Sequence, residues 1–310
     1  MLPVVHNPHY QAVIPPGHRF PMGKFGAVAR VLADLGFGPF HVPAPAPASW
    51  IALAHDRSYV DQVFSADVPA KVAREIGFPM TDSVALRARA ACAGTTLTAR
   101  LALEHGIACN TAGGSHHARR EQGAGFCVFN DVAIAIRVLQ ADGAIARALV
   151  IDCDVHQGDG TAHIFADDPS VATVSMHGAN NYPVRKAAST LDVPLADGTE
   201  DDAYLAALDA TLEATQALPA DIVFYNAGVD PHRDDRLGRL ALSDRGLAER
   251  DRHVIAAARR RGLPLVGVLG GGYMHDVETL ARRHAILHLT AREAIGAARA
   301  SVCHTPIDRP

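Results

Sequence analysis

Four side chains that bind metals or protons follow one short apolar run. Residues 148–151 (Ala-Leu-Val-Ile) are typical of a buried strand, and Asp152, Asp154, His156 and Asp159 come within the next eight positions. Burying a charge costs several kcal/mol unless the charge is paired or binds a metal. This density of acid therefore predicts a metal ion, or a set of ion pairs, at the end of a hydrophobic strand.

Asp154 and His156 have the spacing of two metal ligands on an extended chain. Side chains alternate along a strand, so residues two apart point the same way. An Asp-x-His triplet alone is more often an ordinary loop. Here Asp230, in "NAGVDPH", follows a second apolar run and would complete the set. Two carboxylates and one imidazole leave a position open, which is the arrangement of a catalytic metal.

Two adjacent histidines, His116 and His117, occur in the glycine-rich stretch "GGSHHARR". An isolated pair of this kind is more often a solvated turn. A buried imidazole needs a partner to orient it, and Asp152 and Asp159 are left over from the metal set. The residues therefore predict two Asp–His dyads beside the metal.

Tyr273 follows three glycines in "LGGGYMH". The glycines are consistent with a tight turn between a strand and a helix, and the tyrosine with a core aromatic. A tyrosine hydroxyl at the same sheet edge would instead donate to a developing oxyanion.

Apolar runs alternate with helix-patterned segments along the chain. The sequence predicts strands at 107–110, 150–154, 171–177, 221–228 and 263–272. It predicts helices at 83–106, 129–143, 200–218 and 243–262, with Ser83, Asn130 and Ser243 as N-caps. Strands without polar alternation, each followed by a helix, indicate an α/β fold: a mostly parallel sheet flanked by helices on both faces. In such folds ligands bind beyond the carboxyl ends of the strands, where these polar clusters fall.

Composition limits the classes of function. The chain has 310 residues, 48% of them hydrophobic, and a net charge of −4, which gives no basic footprint for direct nucleic acid binding. The beginning of the chain lacks the pattern of a signal peptide, and no apolar run reaches the roughly 18 residues of a membrane span. We therefore expect a cytoplasmic protein. Its cysteines, which form no Cys-x-x-Cys pair, are expected to be free thiols: Cys92, Cys109, Cys127, Cys153 and Cys303.

Six motifs in order resemble the zinc-dependent histone deacetylase family of the arginase/deacetylase fold. They are "GGSHHA", "GFCVFND", "DCDVHQGDG", "VSMHG", "NAGVD" and "GGGY", between residues 113 and 273. Residues 180–205 and 18–28 look most like the class IV branch of that family. The resemblance implies a single deacetylase-like catalytic domain over residues 1–310 that hydrolyses acyl-lysine in proteins or peptides.

The resemblance also implies two metal ions. One catalytic Zn²⁺ would be held by Asp154, His156 and Asp230, in agreement with the interpretation from spacing. A structural K⁺ would be bound by Asp152, Asp154, His156, Ser175 and Met176. Asp154 and His156 would contribute main-chain atoms to that site. The donor set of the first site also suits Fe²⁺ or Co²⁺.

The remaining roles implied by the resemblance concern catalysis and substrate binding. His116 and His117 would lie beside the metal-bound water, backed by Asp152 and Asp159 respectively. Tyr273 would polarise the amide carbonyl. A narrow tunnel for the acyl-lysine side chain would be lined by Gly125, Phe126 and Tyr182.

Two positions depart from the family pattern. Many relatives carry an aspartate at the tunnel rim that holds the substrate backbone, but Gly77 stands there and Asp82 lies several residues away. This puts tight binding of a peptide main chain in doubt. Gln157 replaces a common histidine, and we expect little chemical consequence because it is not a ligand position.

Other functions on this fold remain open from sequence. Hydrolysis of small acetylated amines such as acetylpolyamines uses the same catalytic motifs. Ureohydrolysis with two Mn²⁺ ions would need further bridging acids, and the late strand offers only Asp230. A catalytically inactive acyl-lysine binder would have lost a metal ligand, His117 or Tyr273, and all are present. The Ala- and Arg-rich composition is typical of a bacterial protein.

Overall fold

A seven-stranded parallel sheet forms the centre of the protein in a computed structural model, which describes residues 1–302 and the side chains of residues 1–297. Cys303 lies outside the described residues. The strand order is β1-β2-β7-β6-β3-β4-β5, and every neighbouring pair is parallel. The strands are β1 (Val4–Val5), β2 (Ile107–Asn110), β3 (Ala148–Asp152), β4 (Val171–Gly178), β5 (Leu191–Leu195), β6 (Ile222–Asn226) and β7 (Leu265–Val268). The predicted α/β class with a parallel sheet is confirmed.

Ten α-helices accompany the sheet in the described part of the chain. They are α1 (Lys24–Asp34), α2 (Ala48–Ile51), α3 (Arg57–Phe64), α4 (Ala70–Ile76), α5 (Asp82–His105), α6 (Asp131–Ala141), α7 (Asp159–Ile164), α8 (Asp201–Ala214), α9 (Asp244–Arg260) and α10 (Val277–Val302). All residues of the central strands β2, β3, β6 and β7 are buried. Because their side chains alternate, both faces of the sheet are covered. None of the described helices is both long and apolar enough to span a membrane.

The helix ends follow ordinary capping chemistry, with one correction. Asn130 and Ser243 cap α6 and α9 as predicted, each accepting from a backbone N–H of the first turn. Ser83 was wrong as the cap of α5, because Thr81 accepts from Val84 N and caps the helix. The Ser83 hydroxyl instead accepts from Val13 N at 2.9 Å, outside the helix.

Two strands were missed, and both lie at the edges of the sheet. β1 has only two residues and pairs with β2 through Val4 opposite Cys109. β5 contains Pro194 and is mostly half-buried, without the apolar run that marks the central strands. Edge strands need fewer buried side chains, which weakens their signal in the sequence.

The carboxyl ends of four strands lie level with one another. Asp152 at the end of β3 stands opposite Asn226 of β6 on one side and Ser175 of β4 on the other. Asn226 in turn stands opposite Val268 of β7. The loops that follow these strands therefore begin from one edge, and the candidate site is built there.

α5 packs closely against the beginning of the chain and β2. The Tyr10 hydroxyl donates to Asn110 Oδ1 at 2.9 Å, beside Gly94 in the middle of α5. A Cβ at Gly94 would overlap the Tyr10 hydroxyl and lie 3.0 Å from Asn110 Nδ2. The absence of a side chain therefore allows this close contact.

Gly94→Ala is expected to destabilise the fold. Overpacking in a core typically costs about 1–3 kcal/mol, against a gain of about 1 kcal/mol from the helix propensity of alanine. We expect a net loss of up to about 2 kcal/mol in the free energy of unfolding in urea, because the added Cβ would overlap the Tyr10 hydroxyl. Gly296→Ala, in α10 with no atom within 4 Å of its added Cβ, is the matched control and should be neutral or slightly stabilising. Equal stability of the two variants would contradict the packing argument.

Candidate metal and acid–base site

Three buried side chains from two loops form a candidate metal site. Asp154 and His156 lie in the loop after β3, and Asp230 lies in the loop after β6. Their ligand atoms are all within 4.8 Å of one another. His156 Nδ1 faces both carboxylates, 3.0 Å from Asp154 Oδ1 and 3.1 Å from Asp230 Oδ2. The structure thus brings together the three residues predicted as ligands.

Backbone N–H groups hold the two carboxylates in place. Gly271 N donates to Asp154 Oδ2 at 2.6 Å, and Val155 N donates to Asp230 Oδ1 at 2.9 Å. A Cβ at Gly271 would overlap Asp230 Oδ2, so a glycine is needed where the loop after β7 approaches the cluster. The carboxylate–imidazole set, fixed by a second layer of donors, fits a divalent metal such as zinc.

The electrostatics of the cluster also fit a cation. Burial and the negative charge of Asp154 raise the pKa of Asp230 to about 7. Burial lowers the pKa of His156, but its hydrogen bonds to Asp154 and Asp230 and their charges outweigh this and raise it to about 10. Two carboxylates and one imidazole therefore converge at a single point, where a metal ion would offset the negative charge of the two acids.

Beside the cluster lie two Asp–His pairs. His116 Nδ1 is 2.7 Å from Asp152 Oδ2, and His117 Nδ1 is 2.6 Å from Asp159 Oδ1. All four side chains are buried. The second carboxylate oxygen of Asp159 accepts from Arg119 Nη2 at 2.9 Å. The structure brings together both dyads that the sequence predicted.

The two histidines differ sharply in their affinity for a proton. Burial lowers the pKa of His116, but the charges of Asp152 and Asp154 outweigh it and raise the pKa to about 9. Burial and the positive charge of His116 lower the pKa of His117 to about 4. At neutral pH one imidazole therefore carries an extra proton and its neighbour can accept one. Such a separation suits an acid and a base working at one site.

Aromatic side chains surround the entrance to the cluster. The buried Tyr273 ring lies 6.0 Å from the His156 ring and 5.9 Å from the Phe126 ring, between centroids. The Tyr182 ring is 43% exposed and packs edge-on against His117 at 4.8 Å. These residues line an entrance cavity of about 340 Å³. The predicted tunnel residues Gly125, Phe126 and Tyr182 thus all line this cavity.

A strained turn presents Phe126. Gly125 has φ +53° and Phe126 has φ +67°, both in the left-handed region. Their N–H groups donate to Glu75 O at 2.9 Å and Ile76 O at 2.7 Å. A Cβ at Gly125 would come within 2.6 Å of His117 Cδ2. Gly125 therefore lets the turn lie directly against this histidine.

The residues implied in potassium binding share one region. Asp152, the last residue of β3, stands opposite Ser175 in β4, and Met176 follows Ser175 in the same strand. The main chains of Asp154 and His156 continue from β3. Their placement is compatible with one ion, and the K⁺ site stays a prediction.

The departures from the family pattern have structural explanations. Gly77 ends α4 with φ +82°, and a Cβ there would lie 3.0 Å from the Phe126 ring. Asp82 is exposed at the start of α5 and does not line the entrance cavity. The Gln157 amide is fully buried and binds Asp192 Oδ1 at 2.7 Å and the main chain of Ala187. It therefore anchors a neighbouring loop, in keeping with a position outside the ligand set.

Two buried cations behind the cluster were missed by the sequence reasoning. Lys24 Nζ donates to Gly270 O at 3.1 Å, and burial lowers the pKa of Lys24 to about 8. Arg250 Nη1 donates to Gly228 O at 2.5 Å and to Cys153 O at 3.3 Å, between the two ligand-bearing loops. Both lie in amphipathic helices, where a charged residue is usually exposed, so no signal in the sequence marks them.

Asn226 was inside a quoted motif but received no role. Its Nδ2 atom donates to Asp152 Oδ1 at 3.0 Å and lies 3.3 Å from His116 Nδ1. Its place at the end of an apolar run was the available signal, since Asp152 ends β3 in the same way.

Asp230→Asn is expected to stabilise the metal-free protein at pH 8. Because the pKa of Asp230 rises from 3.8 to about 7 on folding, ionised Asp230 disfavours the folded state. The penalty is absent below about pH 4, grows between pH 4 and 7 and is complete above pH 7. After chelation by EDTA, we expect a gain of about 1–3 kcal/mol in urea unfolding at pH 8, vanishing near pH 4.

The same variant should lose its response to metal. Zn²⁺ should raise the melting temperature of the wild type, since a ligand that binds only the folded state stabilises it, and leave Asp230→Asn nearly unchanged. Asp234→Asn, at an exposed carboxylate nearby, is the control and should respond like the wild type. A chelated Asp230→Asn protein less stable than the wild type at pH 8 would show that the buried acids do not repel one another.

Comparison with known proteins agrees with this geometry. The histone deacetylase domain family matches residues 18–289. An uncharacterized protein of Picosynechococcus sp. is 47% identical over 296 residues, which cover 94% of this chain and 98% of the relative. Histone deacetylase 2 of Arabidopsis thaliana is 35% identical over 290 residues, covering 87% of this chain and 75% of the relative.

A solved structure shares the fold. The acetylpolyamine aminohydrolase from Burkholderia pseudomallei has a TM-score of 0.76 at 22% identity, covering 94% of this chain and 98% of that one. The family match spans most of the sequence and contains the metal cluster, both dyads and Tyr273. The chain therefore belongs to the histone deacetylase domain family.

Proposed function

We propose that the protein is a zinc-dependent lysine deacylase, which hydrolyses the amide of Nε-acetyl-lysine or of lysine bearing a longer acyl chain. The observation that carries this proposal is the buried Asp154–His156–Asp230 cluster flanked by two histidines of opposite proton affinity. Membership in the family supports a deacetylase. The choice of lysine as the acylated amine goes beyond family membership and is part of the proposal.

The two histidines divide the proton transfers. A zinc ion held by Asp154, His156 and Asp230 would supply a Lewis acid that polarises the amide and makes water more acidic. His117 is neutral at pH 7, and Asp159 engages its Nδ1, so Nε2 is left to accept a proton from the attacking water.

His116 supplies the proton that the leaving group needs. Its Nδ1 atom lies 2.7 Å from Asp152 Oδ2, and without metal the charges of Asp152 and Asp154 outweigh burial and raise its pKa to about 9. A protonated imidazole can donate to the departing lysine amine, which would otherwise leave as an unstable anion.

Tyr273 is proposed to stabilise the oxyanion. Burial and the charges of Asp154 and Asp230 raise the pKa of Tyr273 well above its usual value. The hydroxyl therefore stays protonated and can donate to the carbonyl oxygen as negative charge develops. Packing against Phe126 and Phe20 holds the ring beside the cluster.

The entrance is proposed to bind the aliphatic part of the substrate. Phe126 and Tyr182 contribute aromatic rings to the cavity, and Gly125, which lies against His117, adds no side chain that would narrow it. Apolar walls suit the methylene chain of lysine, while the acyl group passes inward to the cluster.

Other parts of the proposal concern the protein as a whole. We propose a single catalytic domain of the class IV type, in the bacterial cytoplasm, with acyl-lysine proteins or peptides as partners. The cysteines in the described chain are free and buried, which suits a reducing compartment. A structural K⁺ bound near Asp152 and Ser175 belongs to the same proposal.

Hydrolysis of acetylpolyamines is the second candidate, because the solved structure of that name shares this fold. The entrance gives a reason to prefer lysine substrates. Arg19 lies 5.0 Å from the Phe126 ring centre and has no carboxylate partner among the described residues. A polyamine carries positive charge along its length and would be repelled there, although Glu75 also lines this cavity.

The first experiment measures turnover of zinc-loaded protein on lysine peptides with acyl groups from acetyl to myristoyl, with acetylputrescine alongside. We expect turnover of at least one peptide series, and the chain-length profile would measure the size of the acyl pocket. A strong acetyl preference would exclude the long-chain form of the proposal. Turnover of acetylputrescine alone would replace lysine deacylation with small-molecule amide hydrolysis.

Tyr273→Phe tests the oxyanion role on the best substrate. Loss of one such donor typically lowers kcat about 100- to 1,000-fold. We expect this loss with zinc content unchanged, as measured by plasma mass spectrometry, because Tyr273 is not a ligand. Activity equal to the wild type would remove Tyr273 from the mechanism.

A further inference from the structure

A carboxylate in the loop after β6 binds the backbone of Tyr273 directly. Asp235 Oδ2 accepts from Tyr273 N at 2.7 Å. Asp235 lies five residues beyond Asp230, and its own N–H donates to His232 O at 2.9 Å. No local pattern in the sequence marks Asp235, because its partner Tyr273 lies 38 positions away.

The other oxygen of the same carboxylate orders a turn at the entrance. Asp235 Oδ1 accepts from Leu237 N at 2.9 Å and from Gly238 N at 3.1 Å. A Cβ at Gly238 would overlap the Asp230 carbonyl oxygen, so the turn packs against the loop that carries a proposed metal ligand. The carboxylate therefore accepts three backbone N–H donors, divided between its two oxygens.

This turn also joins a third loop. Leu237 O accepts from Asn181 Nδ2 at 2.7 Å, and Arg239 N donates to Asn181 Oδ1 at 3.2 Å. Asn181 precedes Tyr182, which packs on His117, and Leu237 lines the entrance cavity. Asp235 thus lies at a junction of the loops after β4, β6 and β7.

The segment before Tyr273 is held through its backbone: Gly271 N donates to Asp154 Oδ2 at 2.6 Å, and Gly271 O accepts from Val229 N at 2.9 Å. The Asp235 bond extends this anchoring to Tyr273 itself. Three glycines precede it, and Gly270 and Gly272 have φ values of +63° and +154°. Regular structure resumes only at Val277, where α10 begins. Among the described residues, the Tyr273 hydroxyl has no hydrogen-bond partner. Its position therefore depends on ring packing and on its backbone N–H.

We propose that Asp235 is a positioning residue that holds the Tyr273 hydroxyl at the reacting carbonyl. The inference rests on the proposed function of Tyr273 as the oxyanion donor. A displacement of about 1 Å at a reacting group can lower turnover about 100-fold. Loss of the Asp235–Tyr273 bond should act on kcat, since an asparagine whose Oδ1 atom keeps the two turn N–H groups leaves the entrance wall in place and loses only the contact with Tyr273.

Asp235→Asn is the informative substitution. An amide has one accepting oxygen, so it cannot serve both Tyr273 N–H and the turn, and its NH₂ group would face a donor. We expect kcat to fall about 10- to 100-fold, KM to change less than about threefold, and zinc content to stay at the wild-type level. Asp234→Asn is the matched control: its exposed carboxylate pairs with Arg283, and turnover should be unchanged.

A double-mutant cycle separates positioning from general damage. If Asp235 acts through Tyr273, then adding Asp235→Asn to the Tyr273→Phe variant should lower kcat by less than about threefold further. An equal loss in both backgrounds, or loss of zinc from Asp235→Asn, would overturn the inference.

Hydrogen–deuterium exchange tests the contact without any substrate. The peptide containing residues 270–276 should exchange faster in Asp235→Asn than in the wild type or Asp234→Asn, because the Tyr273 amide loses its acceptor. Unchanged exchange would reject the anchor whatever the enzyme acts on. Absence of wild-type turnover on every acylated amine would instead reject the proposed function, so the two failures are distinguishable.

Discussion

Four buried aspartates, each no more than 3% exposed, impose the constraint on which the site depends. Asp152, Asp154, Asp159 and Asp230 lie where water cannot solvate them, and an unpaired buried charge costs several kcal/mol. Each carboxylate is stabilised by contacts with the surrounding protein. Two engage histidines and neighbouring polar side chains, while Asp154 and Asp230 converge on one imidazole nitrogen and several backbone N–H groups. Burial and the charge of Asp154 raise the pKa of Asp230, so a cation held between these two carboxylates would relieve the repulsion between them.

The parallel sheet makes this concentration of charge possible. Strands that run in one direction end at one edge, and the loops that follow β3, β4, β6 and β7 meet there. The loops cannot cover their own polar backbone, so the carboxylates bind the N–H groups of neighbouring loops, as Asp154 does with Gly271 and Asp235 with Tyr273. Metal ligands and loop anchors are therefore made from the same residue type.

Sequence predicts the parts of this protein that depend on short-range pattern. Central strands appear as unbroken apolar runs, and the ligands follow them within a few residues, so the fold class and the proposed ligand set were accessible. What could not be predicted depends on contacts between distant positions. Lys24 meets the Gly270 carbonyl across 246 residues and Arg250 meets Cys153 across 97, each from a helix whose pattern indicates a surface charge. The edge strands β1 and β5 were missed because an edge needs little apolar sequence.

His116 and His117 show how strongly the surroundings of two neighbouring histidines can separate their pKa values. They are neighbours in the chain, their rings lie 4.1 Å apart, and each engages one aspartate. His116 also faces Asp154, with Nε2 3.8 Å from its Oδ1, whereas His117 shares Asp159 with the cation of Arg119. One ring therefore experiences two negative charges, while the other experiences one that is already partly neutralised and the positive charge of its neighbour. The difference between the two pKa values thus arises from the second carboxylate beside His116 and from burial and the positive charge of His116 acting on His117, neither of which the adjacent positions in the sequence reveal.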